Sequence, residues 1–163
     1  MRAIANHGVV VRYSHDTIGV NSRLDSIQAA VLDAKLPHLD KYIEARQKAA
    51  TYYDEAFKNN SHILIPTRAA NSTHVFHQYT LRLIEVDREA LRNALAEAGI
   101  PAMIYYPVPL HMQKAYQDSR YKEGDFPVAE RLANCVLSLP MHTELDEEQL
   151  AYITQNVLEA LNT

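Results

Sequence analysis

Two short runs in this chain carry side chains whose type and spacing could do chemistry. The first is Gly19-Val20-Asn21-Ser22-Arg23-Leu24-Asp25-Ser26-Ile27-Gln28-Ala29-Ala30, where a polar loop enters an amphipathic helix. An amide at Asn21 and a guanidinium at Arg23, just ahead of a helix N-terminus, suit an anion. The first helical amides are unpaired and the helix dipole is positive there, so phosphate is one natural guest. The same residues also read as a plain cap, with Asn21 and Ser22 closing the helix. The second run is Tyr105-Tyr106-Pro107-Val108-Pro109-Leu110-His111. Two phenols and an imidazole can hydrogen-bond a ligand, and two prolines stiffen the loop that holds them. An aromatic pair closing the edge of a core is the alternative. His7 and His15 flank the Asn21 segment and would titrate near neutrality, as acid, base or ordinary surface residues. His74, His77 and His142 read as structural.

The elements that must position these groups follow from periodicity. Residues 1–7 read as the last turn of a helix that starts outside the chain, stopped by Gly8. Residues 8–21 lack helical period and read as a loop. Ser22, with Asp25 three residues on, fits a capping box. Leu24, Ile27, Val31, Leu32, Leu36, Leu39 and Ile43 keep helical spacing, but Pro37 lacks an N–H and clashes with the preceding turn. Two helical segments are therefore expected, 22–35 and 38–58. Ile63-Leu64-Ile65-Pro66 reads as an edge strand. Val75 to Leu83 alternates as a strand, with Val75, His77, Tyr79, Leu81 and Leu83 on one face. Asp87 caps a helix through Ala98, ended by Gly99 and Pro101. Ala102 to Tyr105 is a short strand, Gln113 to Tyr121 a short helix or turn, Phe126 to Asn134 a helix, and Val136 to Pro140 a strand. Asp146 and Gln149 open a last helix with the stripe Leu150, Ile153, Val157 and Leu161. Strands and helices interleave after residue 60, which gives a small α/β domain behind a helical arm. The boundary falls between 1–58 and 59–163.

Composition removes several classes of function. The net charge is −4, with no basic excess to neutralise phosphates, so nucleic-acid binding is not expected. No apolar run reaches the length of a membrane span, and Met1 to His7 lacks the apolar core of a signal peptide. Cys135 is the single cysteine, so no intrachain disulfide forms, which fits a reducing cytoplasm. No Cys/His spacing matches a zinc site.

Taken in order and separation, Asn6-His7-Gly8, Arg12-Tyr13-Ser14-His15, the Asn21–Ala30 run and the Tyr105–His111 run resemble the C-terminal part of the DegT/StrS group of sugar aminotransferases, which use pyridoxal phosphate. The Pro140-Met141-His142 segment is similar to the family's closing motif. The resemblance covers essentially all 163 residues but only part of a family member. It implies the C-terminal part of a fold-type I aminotransferase, with 1–58 ending the large domain and 59–163 forming the small α/β domain. It implies that Asn21 reaches the cofactor phosphate from a neighbouring subunit and that Arg23 lies at the same boundary, which requires a homodimer. Tyr105, Tyr106 and His111, with Arg12 and Tyr13, would wall the substrate pocket. The first aromatic position is often His in this family and is Tyr105 here. A phenol carries no positive charge at neutral pH, which puts an acid–base role in question and points to a different sugar preference.

Pyridoxal phosphate chemistry also needs a lysine to form a Schiff base and a partner for the ring nitrogen. The six lysines are Lys35, Lys41, Lys48, Lys58, Lys114 and Lys122. None occupies the Ser/Thr-rich turn that carries this lysine in the family; that turn would precede residue 1. The expectation is a cytoplasmic fragment, inactive and without cofactor by itself, of an enzyme moving an amino group from glutamate to a nucleotide-linked keto-sugar. The run at Tyr105–Leu110 looks most like enzymes acting on UDP-linked 3-keto-hexuronic sugars for surface polysaccharide. The alternative is a non-catalytic α/β module that self-associates through the arm.

Overall fold

The first helix ends at Ala5, two residues short of the expected 1–7, and His7 rather than Gly8 is the first left-handed residue after it; the segment that follows is more ordered than a loop. The structure is a computed structural model that describes residues 1–11 and 14–161. It divides into two compact units, Met1–Asp40 and Lys41–Thr163.

In the first unit a single turn of helix, α1 (Arg2–Ala5), is followed by His7 and Gly8 in left-handed backbone, at φ 58° and 76°. The segment read as a loop contains an antiparallel pair, β1 (Val9–Val11) and β2 (Ser14–His15), with Val9 opposite His15 and Val11 opposite Ser14. Two-residue alternation was invisible here because the strands are too short to show a period. The returning chain lies across the N-terminal turn: the Val20 amide donates to the Ile4 carbonyl at 2.7 Å, the His7 amide to Val20 at 3.0 Å, and the Ser22 amide to Ala5 at 2.9 Å. Gly8 and Gly19 make this crossing possible. A Cβ on Gly8 would stand 1.7 Å from the Thr17 carbonyl oxygen, and one on Gly19 would stand 2.2 Å from the Gly8 nitrogen.

Helix α2 (Ser26–Lys35) begins four residues later than expected from Ser22. Its cap is Asp25, whose Oδ1 accepts from the Gln28 amide at 2.8 Å while Gln28 Oε1 accepts from the Asp25 amide at 3.4 Å. The box is therefore Asp25–Gln28 and not Ser22–Asp25, because a carboxylate three residues before a Gln satisfies two end amides reciprocally. Ser22 instead lends its amide to Ala5. Pro37 sits in a single 3-10 turn, Leu36–His38, and α3 (Leu39–Phe57) starts directly after it. The division expected at Pro37 is present, as a tightened turn.

In the second unit the core is built from one face of each element. Helix α3 contributes Ala49, Ala50, Tyr53 and Phe57. Strands β3 (Ile63–Leu64), β4 (Tyr79–Leu83) and β5 (Val136–Leu139) form an antiparallel sheet in that order, β4 pairing Tyr79 with Leu139 and Leu81 with Leu137. These four side chains share one face, as strand alternation requires, and are buried with Leu91 and Leu95 of α4 (Arg88–Glu97) and Leu150, Ile153 and Val157 of α6 (Glu147–Leu161). On the next position along, Thr80 and Ser138 pair their hydroxyls at 2.7 Å. Asp87 caps α4 through its carboxylate, and Gly99 stops it at φ 75°.

Two strand expectations change. The strand read from Val75 starts only at Tyr79; Val75 is exposed, and Phe76 is left-handed at φ 47°. That turn is held from outside the segment. The Phe76 amide donates to His74 Nδ1, and one Arg46 amino group donates to the carbonyls of Phe76, His77 and Met141. The strand read over Ala102 to Tyr105 reduces to one bridge, Met103 to Ser138, since Tyr105 onward bends away into the proline loop. Residues 110–112 and 114–116 make 3-10 turns. Helix α5 (Pro127–Cys135) then leads into β5.

Candidate functional site

The Asn21–Arg23 pair belongs to the first unit and the Tyr105–His111 group to the second. Asn21 is bridged to Asn6 across the glycine crossing, which fixes its backbone. Its Oδ1 accepts from Arg23 Nε at 3.0 Å, and both residues are exposed. This leaves the Asn21 Nδ2 amide and the guanidinium amino groups to meet an anion. The amides of α2 do not add to that site in the way its sequence position suggests, because Asp25 already accepts from Gln28. Arg12 and Tyr13 lie outside the described residues. His15 Nδ1 lies 2.8 Å from the His7 carbonyl oxygen. A carbonyl only accepts, so this nitrogen carries the proton, and the bond ties the short strand pair back to the α1 turn.

Tyr105, Tyr106 and His111 line one cavity of about 690 Å³, together with the prolines between them and with Phe126, Leu132 and Ala133. The two tyrosine rings meet edge to face at 5.7 Å. Tyr106 is well exposed, while the His111 side chain is only 8% exposed. His111 Nε2 lies 2.9 Å from Glu130 Oε1. Glu130 also accepts from the Gly124 amide at 3.0 Å and the Phe126 amide at 3.2 Å. Desolvation would raise this carboxyl, but the two amides and His111 outweigh it and hold it below the usual range, so it stays a carboxylate. His111 therefore donates through Nε2. Glu130 escaped the sequence reading because it stands 19 residues from His111; an acid in the first turn of a helix was its only sign.

His74 and His142 accept backbone amides of Phe76 and Glu144, as residues that shape turns. Every lysine is exposed. Lys58 pairs with Glu55, and Lys48 stands 3.5 Å from Glu147. Incubation of the chain with pyridoxal phosphate, followed by borohydride reduction and mass spectrometry, is expected to give scattered substoichiometric adducts. A single stoichiometric adduct on one lysine would contradict this. No helix among the described residues is long and apolar enough to cross a membrane.

Known proteins match this chain along almost its whole length. It is 43% identical to a pleiotropic regulatory protein of Geobacillus stearothermophilus over 97% of the chain and 42% of that protein. It is also 43% identical to the UDP-N-acetyl-3-dehydro-alpha-D-glucosamine 3-aminotransferase of Acidithiobacillus ferrooxidans, over 99% of the chain and 42% of the relative. Among solved structures, Streptomyces venezuelae DesV in complex with a ketimine intermediate superposes with a TM-score of 0.87 at 38% identity, over 97% of the chain and 42% of that structure. The chain thus spans about two fifths of the length of the relatives it matches, and its α/β fold is the one found in these aminotransferases. The profile of one family matches residues 1–158, and the chain belongs to that family, the DegT/DnrJ/EryC1/StrS aminotransferases.

Proposed function

We propose that this chain supplies the C-terminal portion of a pyridoxal-phosphate-dependent aminotransferase that moves an amino group from glutamate to a nucleotide-linked keto-sugar, in amino-sugar or surface-polysaccharide biosynthesis. The observation that carries the reading is the family match over residues 1–158, with the Asn21–Arg23 pair exposed within it. The Acidithiobacillus relative supports a UDP-linked sugar with its keto group at C3 as acceptor. Pyridoxal phosphate, when bound, supplies an electron sink for moving the amino group. The residues of this chain fit the phosphate side of that cofactor: an amide and a guanidinium, both hydrogen-bond donors. They do not fit its aldehyde side, since every lysine here is exposed. Tyr105 and Tyr106 border the sugar.

The pair acts across a homodimer. The exposed side chains Leu24, Ile27, Val31, Leu32, Leu36 and Leu39 support this, because monomers rarely leave large apolar patches in water; the alternative is that this face packs on the large domain of the whole enzyme. Sedimentation velocity is expected to show mass rising with concentration. A clean monomer at high concentration would remove the homodimer from the proposal. The same apolar face supports the second reading, a non-catalytic module that self-associates.

A chimaera separates the two. In it this chain replaces the matching segment of the Acidithiobacillus enzyme. The aminotransferase reading expects the chimaera to hold pyridoxal phosphate and aminate the UDP-linked 3-keto sugar. Asn21→Ala then weakens cofactor retention by about 1.5–3 kcal/mol, as for a hydrogen bond to a charged group. Arg23→Ala costs at least as much, the pair being charge-assisted. Asp25→Ala lowers stability by about 1 kcal/mol and spares the cofactor, since Asp25 is the cap. Unchanged cofactor affinity in both Asn21→Ala and Arg23→Ala would end the phosphate assignment.

A further inference from the structure

We propose that His111 is a positioning residue, clamped by Glu130 so that the Tyr105–Pro109 lip keeps the shape in which it meets its ligand. This rests on the reading that the cavity borders the substrate. It assigns His111 a role through the loop and gives the polar contacts to the tyrosines.

The geometry has three parts. First, the His111 side chain is buried almost completely, with its ring 4.8 Å from that of Phe126, so it is packed as a wall. Second, its Nε2–H is committed to Glu130 at 2.9 Å. Third, Glu130 is itself anchored, by the amides of Gly124 and Phe126 at the start of α5. The clamp thus joins two backbone segments 13 residues apart, at 111 and 124, through one carboxylate. Between them Tyr121 leans on Phe126 at 5.5 Å. On the other side of His111 the chain has little to hold it. Tyr105 is 37% and Tyr106 72% exposed, and the strand pairing at Met103 does not continue into the lip. Gln113 Nε2 donates to the Val108 carbonyl at 3.3 Å, which links the lip to the residues just past the clamp. The prolines stiffen the lip by fixing φ but donate no hydrogen bond, and Pro109 accepts one only from the Met112 amide beside the clamp, at 3.0 Å. Anchoring must come from its end, and His111 is where the loop meets a buried, charge-assisted bond.

The test uses the full chain with ¹³C-labelled tyrosine and histidine, the Tyr105 and Tyr106 ring signals assigned by Tyr→Phe substitution and the His111 signal by its loss in His111→Ala. His111→Ala and Glu130→Ala are each expected to shift or broaden both signals, while the buried Tyr53 and Tyr79 signals stay in place as evidence that the core is intact. The double variant should do no more than either single one, because both remove the same bond. His111→Gln, whose Nε2–H can still reach Glu130, should restore the signals. A merely stabilising contact would lower the melting temperature without moving these two rings. Unmoved Tyr105 and Tyr106 signals in His111→Ala and Glu130→Ala, with the core intact, would overturn the proposal. UDP-N-acetylglucosamine serves as the ligand probe. If it moves the His111 imidazole signals directly and equally in the unaltered chain and in Glu130→Ala, His111 is a ligand contact and the proposal also fails. If it moves no signal in the unaltered chain, the ring signals alone decide whether the clamp holds the lip, and the substrate-site reading is judged separately, by whether Tyr105→Phe and Tyr106→Phe in the chimaera raise the KM for the UDP-linked sugar.

Discussion

Phe57→Ala is expected to lower the unfolding free energy of the second unit by about 3–5 kcal/mol, the cost of a large cavity in a core that cannot collapse around it. Phe57 is fully buried at the end of α3, its ring 6.2 Å from that of Tyr53, which in turn lies 4.9 Å from Tyr79. This aromatic row joins the helix to the sheet, and it cannot shift inward without breaking polar bonds at its edges. Tyr53 Oη donates to the Pro140 carbonyl at 2.9 Å, and Tyr79 Oη to Asp54 Oδ1 at 2.8 Å, while Arg68 Nε donates to the other Asp54 oxygen at 2.8 Å. Tyr53→Phe should therefore cost about 1 kcal/mol and Tyr79→Phe about 1.5–3 kcal/mol, because only the second removes a bond to a charged group. Urea denaturation followed by circular dichroism gives all three values. A loss under about 1 kcal/mol for Phe57→Ala would mean that the core repacks freely, against the bonding pattern. Alkaline titration adds a check with a definite sign. Burial raises both phenols, and beside Tyr79 the Asp54 bond and charge add to it. The unfolded chain releases these protons near pH 10 and the folded chain does not, so stability is full below about pH 10 and falls as the pH rises past it.

Gly8→Ala is expected to open the crossing in the first unit. An L-residue in left-handed backbone costs about 1–2 kcal/mol before any clash. The added Cβ would also meet a backbone oxygen at 1.7 Å, which no side-chain rotation relieves. Gly19→Ala should act in the same way without the conformational part, through contacts of 2.2 Å to the Gly8 nitrogen and 2.6 Å to the Ile4 oxygen. Amide exchange reads the result. The His7 and Val20 amides, which cross-bond the two segments, should lose protection, while the amides of β4 and β5 keep theirs. In the chimaera the same substitutions should weaken pyridoxal phosphate retention, since Asn21 takes its place from the bridge to Asn6. Retained protection at Val20 in Gly8→Ala would show that the crossing is not what places Asn21.

Local signals carried much of the architecture. Asp87, Gly99 and the period of Leu91 and Leu95 define α4 within the segment itself, because caps and stops act over a single turn. The Pro37 turn, the edge position of β3 and the buried stripe of α6 were legible for the same reason: each depends on residues within one element. Features that belonged to distant partners were not legible. The late start of β4 depends on Arg46, 30 residues from Phe76. The pairing of β1 with β2 leaves no period in so short a run. Glu130 carries no mark of its tie to His111, since chemistry at 19 residues' separation exists only once α5 is packed. For the candidate site, the sequence alone determined which side chains are available: Asn21, Arg23, Tyr105, Tyr106 and His111, and no lysine in a turn fit for a Schiff base. Tertiary structure alone decided their arrangement. It bound Asn21 to Arg23, gave the helix cap to Asp25, and turned His111 into its carboxylate, because a hydrogen bond is a matter of distance and direction that composition and spacing do not encode.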